Sequence, residues 1–310
     1  MLVIPTIDFQ GYDETDPITL RALSESVAQA MSGTGFMRVR NLGIERQQVE
    51  KMFGMAEWFF SQDFSEKQHS SYSAADENFG FQKVGIEHLN PNQPADIKET
   101  FTMRDLASHD PEDPRWPNRE FRETATHYYD ACLEGAHRIQ RVCAHALAVD
   151  QEFFVDCHRG ENVSLRLLHY PSTENYSIKP GQLGAGAHTD YGMLTLLFEN
   201  GVGGLQVQDS GLQWHDVIPE PGTIVINTGD LLERWTNGKF RSTLHRVKPM
   251  VGGKGRLSIA MFVDPDSSTK VAAIDSCVNA GQSASYHEVI AGEYIQNRIE
   301  ASHRRGIPMP

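Results

Sequence analysis

The sequence predicts a mostly β core carried between flanking helices, and two observations lead there. From Ser164 onward the chain breaks into short β-rich runs punctuated by Gly, Pro, Asn and Asp: "SLRLLHYP", "MLTLLFE", "GLQVQD", "LQWHDVIP", "TIVINTGD", "TLHRVKP" and "RLSIAMFVD". On both sides of that stretch, apolar residues recur at helical spacing instead. Strands so short and so regularly interrupted suit a sandwich or barrel, closed enough to protect its edges. With 310 residues, 39% of them hydrophobic and 22% charged, the chain can bury the core of one large domain. It has no repeat and no low-complexity tract.

Taken in order, a short strand-like opening (Val3, Ile4, Ile7) precedes "DPITLRALSESVAQAMSGTG". There Leu20, Leu23, Val27 and Met31 share one helical face, and Gly33 and Gly35 end the helix. "FMRVRNLG" alternates as a strand, and "IERQQVEKMFGMAEWFFSQ" returns to helical spacing through Val49, Met52, Phe53 and Trp58. Residues 72 to 105 read as irregular, closing on "DIKETFTM". "NREFRETATHYYDACLEGAHRIQRVCAHALAVD" reads as one long helix or two, and "ASYHEVIAGEYIQNRIEAS" as a closing helix.

A net charge of -13 and the lack of a Lys/Arg cluster argue against a nucleic-acid partner. No apolar run approaches the roughly 20 residues that span a bilayer, and the N-terminus has no basic leader, so no membrane partner is expected and the chain is placed in the cytoplasm. Cys132, Cys143, Cys157 and Cys277 are scattered without CxxC spacing, which fits reduced thiols.

The chemistry starts at "AHTDYGMLTLLFEN". If this is strand, His188 and Asp190 point to one side of a sheet, as two metal ligands would. His245, in "STLHRVKP", adds a third ligand type, and two histidines with one carboxylate form the facial triad of non-haem Fe(II) sites. His127, His137 and His145 fall in the helical segment without a carboxylate at ligand spacing, and His215 lies at a turn-to-strand boundary; these read as surface or hydrogen-bonded core residues. Further on, Arg256 and Ser258 share a face in "GRLSIAMFVD", and an arginine fork beside a hydroxyl suits a carboxylate. An outward-facing arginine on a solvated strand is the competing reading.

These motifs resemble the isopenicillin N synthase-like branch of the 2-oxoglutarate/Fe(II)-dependent dioxygenases. The likeness spans nearly the whole chain: "IPTIDF", "GTGFMRVRNLGI", "DIKETF", "LRLLHYP", HTD, "GGLQVQ", "VINTGDLLERWTNGKFRSTLHRV" and RLS. It implies a double-stranded β-helix (jelly roll), with catalytic iron on His188, Asp190 and His245. Arg256 and Ser258, with Tyr170, would bind 2-oxoglutarate as cosubstrate; Tyr170 also fits as a core tyrosine.

The implied reaction uses molecular oxygen to decarboxylate 2-oxoglutarate to succinate and carbon dioxide while oxidising a C–H bond of a small molecule. Hydroxylation is the usual outcome, and desaturation or ring closure are related ones. The presence of Asp190 disfavours halogenation. Because isopenicillin N synthase itself uses no 2-oxoglutarate, a cosubstrate-free oxidase stays open, as does a jelly roll that only binds.

For the substrate pocket the candidates are Phe262, on the face of Arg256 and Ser258, and by family position Phe81, Phe101 and Arg166. Phe262 can equally be core packing, and Arg166 a structural salt bridge. The resemblance divides the chain into an N-terminal region (1–110), a long helical segment (111–160), the jelly-roll core (161–270) and a closing helix with tail (271–310).

Overall fold

The computed structural model describes residues 2–90, 93–175, 177–253 and 255–303; the tail beyond 303 lies outside them. The chain runs β1 (Thr6–Asp8), α1 (Pro17–Gly33), β2 (Phe36–Arg40), α2 (Arg46–Phe60), α3 (Phe64–Gln68), β3 (Gly80–Gln82), β4 (Glu99–Arg104) and α4 (Arg119–Ala146). It continues with β5 (Ser164–Tyr170), β6 (Ala185–His188), β7 (Leu194–Glu199), β8 (Leu205–Gln208), β9 (Trp214–Asp216), β10 (Ile224–Thr228), α5 (Asp230–Trp235), β11 (His245–Val247) and β12 (Arg256–Val263). β13 (Lys270–Val271), β14 (Val289–Ile290) and α6 (Ala291–His303) close it.

Local chemistry starts the helices where the pattern places them. Asp16 caps α1 by accepting from the Ile18 and Thr19 amides, with Pro17 in the first turn. Leu20, Leu23, Val27 and Met31 are buried, as their spacing predicts. Asn118 caps α4 through the Phe121 amide at 2.8 Å, and the segment left open as one helix or two is one.

A larger sheet has the order β1-β2-β10-β7-β12-β5-β4-β3, and a smaller one β6-β11-β8-β9. β1 joins β2 in parallel; the other neighbours in both sheets are antiparallel. The jelly roll is therefore present, extended by β1 and β2 on one edge and by β3 and β4 on the other. The two strands β3 and β4 lie within the stretch expected to be irregular; glycines and prolines around them mask their short alternation.

Strand parity assigns each face of the larger sheet. On β12, Ile259, Met261 and Val263 join the main core with α4 residues such as Tyr128 and Ile139. Arg256, Ser258, Ala260 and Phe262 face a cavity instead. On β7, Leu194, Leu196 and Phe198 lie in the main core, while Thr195 and Leu197 line the cavity. Residues of both sheets pack together around that cavity, Leu168 and Ala260 against Ala185, Leu205 and Val247.

The same parity corrects two expected pocket residues. Phe81 and Phe101 are cross-strand partners on β3 and β4 and point away from the cavity. Phe101 is fully buried, its ring 4.9 Å from Phe59 and 5.3 Å from Phe121. Phe81 lies 5.7 Å from Phe59. Their neighbours Gln82 and Thr102 line the cavity in their place. Edge-to-face aromatic clusters of this kind are core packing. Phe101→Ala should therefore cost about 3–5 kcal/mol in a urea unfolding experiment. The milder Phe101→Leu should lower the melting temperature without changing the KM for any substrate, and a KM shift would return Phe101 to the pocket.

Candidate active site

His188 and His245 are cross-strand partners on β6 and β11, with ring centroids 4.3 Å apart. Asp190 is not on the strand: β6 ends at His188, and the carboxylate is brought back by the loop that follows. Backbone contacts hold that loop, the Asp230 amide donating to the Asp190 carbonyl at 2.8 Å and the Leu231 amide to that of Tyr191 at 3.1 Å. The expected convergence is thus real, but its cause is an anchored loop rather than strand alternation.

The ligand atoms are distributed so that each has one free direction. Thr195 donates to Asp190 Oδ2 at 2.5 Å and Asn227 at 2.7 Å, which leaves Oδ1 facing both imidazoles. Oδ1 lies 3.7 Å from His188 Nε2 and 3.6 Å from His245 Nε2. Each Nδ1 faces a backbone carbonyl, Gly186 at 2.7 Å and Thr243 at 3.1 Å. A carbonyl only accepts, so Nδ1 carries the proton and the Nε2 lone pair is available to a cation. The three ligand atoms lie within 4.8 Å of one another.

Electrostatics agree with this donor set. Burial, reinforced by neighbouring His245, pushes His188 down to about 3 and keeps it neutral. Burial also opposes charge on His245 and Asp190, but their mutual attraction outweighs it, raising the histidine and lowering the carboxyl. A buried anion that can hold a proton only on its neighbour is a place for a divalent cation.

Along β12, Arg256 is 1% exposed and its fork is already engaged. Nη1 donates to Ser258 Oγ at 2.9 Å, and Nη2 to Glu199 Oε1 at 2.6 Å. The Tyr170 ring stacks 4.9 Å from the guanidinium carbon, as cross-strand register dictates. Arg256 and Ser258 thus face inward, and the solvated-strand reading is wrong. Glu199 is an addition. It is signalled in sequence by parity, since 195, 197 and 199 share one face of the run "LTLLFE".

Arg166 also reaches the cavity, but it serves a buried charge network. Its Nη2 donates to Glu87 at 2.6 Å, Thr100 at 3.1 Å and Gln82 at 3.3 Å. Lys98 bridges Glu87 at 3.2 Å and Asp96 at 2.9 Å, and Asp96 accepts from the Gly186 amide just before His188. Burial works against charge on Lys98, yet the two carboxylates raise it. Of the two readings of Arg166, the salt bridge is the one observed.

Phe262 lines the cavity beside Thr195, its register partner on β7. One step further the same parity places Asp264, 8% exposed, whose carboxyl is pushed up to about 7 by burial and then by the Asp190 charge. The alternating row 256, 258, 260, 262, 264 is readable in the sequence; the expectation stopped at Phe262.

Three of the histidines set aside as non-ligands are engaged elsewhere. His145 pairs with Ser24, His137 with the His158 carbonyl, and His215 with Asp209 at 2.6 Å. The four cysteines are free. No helix among the described residues is long and apolar enough to cross a membrane.

Comparisons with known proteins agree with this site. The family model of the 2OG-Fe(II) oxygenase superfamily matches residues 161–265, which hold the triad and the Arg256 row. A model described as non-haem dioxygenase in morphine synthesis N-terminal matches residues 4–123. A 2-oxoglutarate-Fe(II) type oxidoreductase, ppzD, of Metarhizium majus is 30% identical over 96% of this chain and 94% of its own. Another, hxnY of Emericella nidulans, is 30% identical over 97% of this chain and 90% of its own. A full-length Neurospora crassa protein, solved in complex with alpha-KG (2-oxoglutarate) and thymine, superposes with a TM-score of 0.85 at 31% identity, covering 97% of both chains. A match of this depth over almost the full length leaves one assignment: the chain belongs to the 2OG-Fe(II) oxygenase superfamily.

Proposed function

We propose that His188, Asp190 and His245 bind one Fe(II), that Arg256 and Ser258 hold the distal carboxylate of 2-oxoglutarate against Tyr170, and that the enzyme hydroxylates a C–H bond of a small molecule in the cytoplasm. The observation that carries the reading is the triad: three ligand atoms converge while every other polar atom on those side chains is already bonded. Two nitrogens and one carboxylate oxygen are the donor set of non-haem Fe(II), and they leave coordination positions open. Bound Fe(II) supplies the oxidation, with oxygen and 2-oxoglutarate consumed and succinate and carbon dioxide released.

The chain's own residues do the rest. Thr195 and Asn227 fix Asp190 as a single-oxygen ligand, and the Gly186 and Thr243 carbonyls fix both imidazole tautomers. Tyr170, Ser258 and Glu199 immobilise the guanidinium. Phe36, Leu168, Ala185, Leu205 and Val247 line the cavity and keep water from the reacting centre. Free cysteines support a reducing compartment, and of the division at 1–110, 111–160, 161–270 and 271–310 the match at 161–265 supports the jelly-roll core, while the N-terminal match at 4–123 runs past 110 into the helical segment. The complexes of the Neurospora crassa protein with thymine and with 5-formyluracil support a compact substrate, for which Phe262 supplies an apolar wall.

Anaerobic titration of the protein with Fe(II) and 2-oxoglutarate tests the reading, since a metal-chelated keto acid develops a visible charge-transfer band. One equivalent of iron should saturate it. Replacing His188, Asp190 or His245 with Ala should abolish both band and turnover, and full activity in Asp190→Ala would sink the assignment.

Two further outcomes follow from the geometry. Arg256→Ala strands Glu199 and removes the anchor, a truncation that costs on the order of 2–5 kcal/mol in comparable buried pairs. The dissociation constant for 2-oxoglutarate should rise roughly thirty-fold to several thousand-fold, and less in Arg256→Lys, which keeps the charge but loses the planar fork. Thr195→Val should weaken Fe(II) binding by roughly 10–100-fold with the fold preserved, because it frees the second carboxylate oxygen. Calorimetric iron titration measures this, and an unchanged affinity would assign Thr195 to packing alone.

A further inference from the structure

The substrate half of the cavity is lined by a carboxyl to which no described residue donates. Asp264 is more than nine-tenths buried, lines the cavity, and accepts no hydrogen bond from any described residue. Nor is the carboxylate free to swing away. A methyl group built on Gly192 would lie 1.8 Å from Asp264 Oδ1, so the carboxylate rests directly on the backbone of the loop that carries Asp190. Because the residue lines the cavity, a donor carried by a bound molecule can reach this acceptor.

Position along the strand separates this group from the cosubstrate anchor. Arg256 and Ser258 begin the row, and Asp264 lies just past its end, about 3.3 Å further per residue. Between them Phe262 pairs with Thr195, whose hydroxyl holds Asp190. The metal ligands therefore lie at the level of Phe262 and Asp264, where a substrate must present its reacting carbon.

The cations of the cavity wall decide the sign of that substrate. Among the described residues they are Lys98, Arg166 and Arg256. Each is matched: Arg256 by Glu199, Arg166 by Glu87, and Lys98 by Glu87 and Asp96. Arg104 influences Asp264 electrostatically without lining the cavity. Arg256 is assigned to 2-oxoglutarate, and Lys98 and Arg166 are held in the Glu87 network, so an acidic substrate would bring another negative charge toward Asp264 with no further cation on the described wall to receive it. Further polar lining groups, among them Asn78, Thr102, Ser164 and Tyr191, are uncharged, and the Thr102 hydroxyl has no partner among the described residues.

We infer that the primary substrate is an uncharged small molecule carrying an N–H or O–H donor, which it gives to the Asp264 carboxylate while an apolar face lies on Phe262. The inference rests on the oxygenase reading above and adds to it a substrate class and the residue that selects it. A site built around an acceptor rejects analogues that lack the donor more strongly than a hydrophobic pocket rejects a change of size.

The test uses the full chain loaded with Fe(II) and 2-oxoglutarate, and matched pairs of compact molecules: lactams and alcohols, their N- or O-methylated forms, and carboxylic acids of similar size. Substrate-stimulated succinate release is the readout. Donor-bearing neutral members should exceed their methylated and acidic partners by about tenfold or more in kcat/KM. With the best member, Asp264→Leu should raise KM by roughly tenfold or more, and Asp264→Asn, whose side-chain oxygen still accepts, by less. The charge-transfer band of each variant checks that iron and cosubstrate are still bound, and Asn covers the case in which Leu fails to fold. Methylated or acidic members that match the donors, a panel in which nothing stimulates release, or a KM within about twofold of wild type in both variants would overturn the inference. Absence of the band in the wild-type protein would instead overturn the oxygenase reading beneath it.

Discussion

The placement of one carboxylate, Asp190, organises the centre of this molecule. It lies beyond the end of β6, so no ladder hydrogen bond fixes it, and three other elements have to. Thr195 from β7 and Asn227 from β10 hold one oxygen, and the amide at the start of α5 holds its carbonyl. These constraints explain residues that are otherwise out of character. Thr195 is a hydroxyl within the apolar run "MLTLLFE", and Asn227 an amide within "TIVINTGD"; both are buried because Asp190 needs a donor there. With Oδ2 occupied, Oδ1 has no choice but to face the imidazoles, and a tolerant acid becomes a directed ligand.

The second organising feature is the pairing of buried charge. Arg256 and Lys98 are almost withdrawn from water and Arg166 largely so, and each has at least one carboxylate within 3.2 Å. Such pairs seldom stabilise a fold more than apolar residues would, because desolvation consumes most of the attraction. Their value is geometric. Arg256 is held by a hydroxyl, a carboxylate and an aromatic face, so it meets an incoming carboxylate without first losing side-chain freedom. The Glu87 network does the same for the floor beneath His188, since Asp96 bonds the Gly186 amide while the Gly186 carbonyl orients the histidine.

How much of this was legible in the sequence depended on whether the controlling rule was local. Strand alternation is local, so Arg256, Ser258 and Phe262 could be put on one face, and the same rule would have reached Glu199 and Asp264 had it been carried to the ends of those runs. The triad residues were legible as types, but the reason for their convergence was not, because a loop anchored by α5 is a long-range fact. Phe81 and Phe101 failed for want of one parity decision. Their segments are flanked by Gly, Asn and Pro, which hid β3 and β4 and with them the rule that turns Gln82 and Thr102 inward. Arg166 could be narrowed to two readings only, since its partner Glu87 lies 79 residues away and ion pairs leave no periodic trace.

The loop after β6 joins two tasks usually assigned to different parts of an enzyme. Asp190 and Gly192 are two positions apart: the first faces the histidines, and the second, lacking a Cβ, lets the Asp264 carboxylate come down onto the chain. The Met193 amide then bonds the Val263 carbonyl at 3.1 Å, tying this loop to the end of β12. Metal ligand and cavity acceptor therefore meet at one short loop, Asp190 as part of it and Asp264 packed against it. A shift that tilted Asp190 would also press on Asp264, so recognition and oxidation are coupled by close packing and one backbone hydrogen bond rather than by a separate moving element. From the other side, Arg298 of α6 stacks on Tyr191 at 4.8 Å and donates to Thr189 at 3.2 Å, so the closing helix holds the residues on either side of Asp190. Precision in such a site comes from over-determining one loop, and here the sequence spends a glycine, a threonine and an arginine to do so.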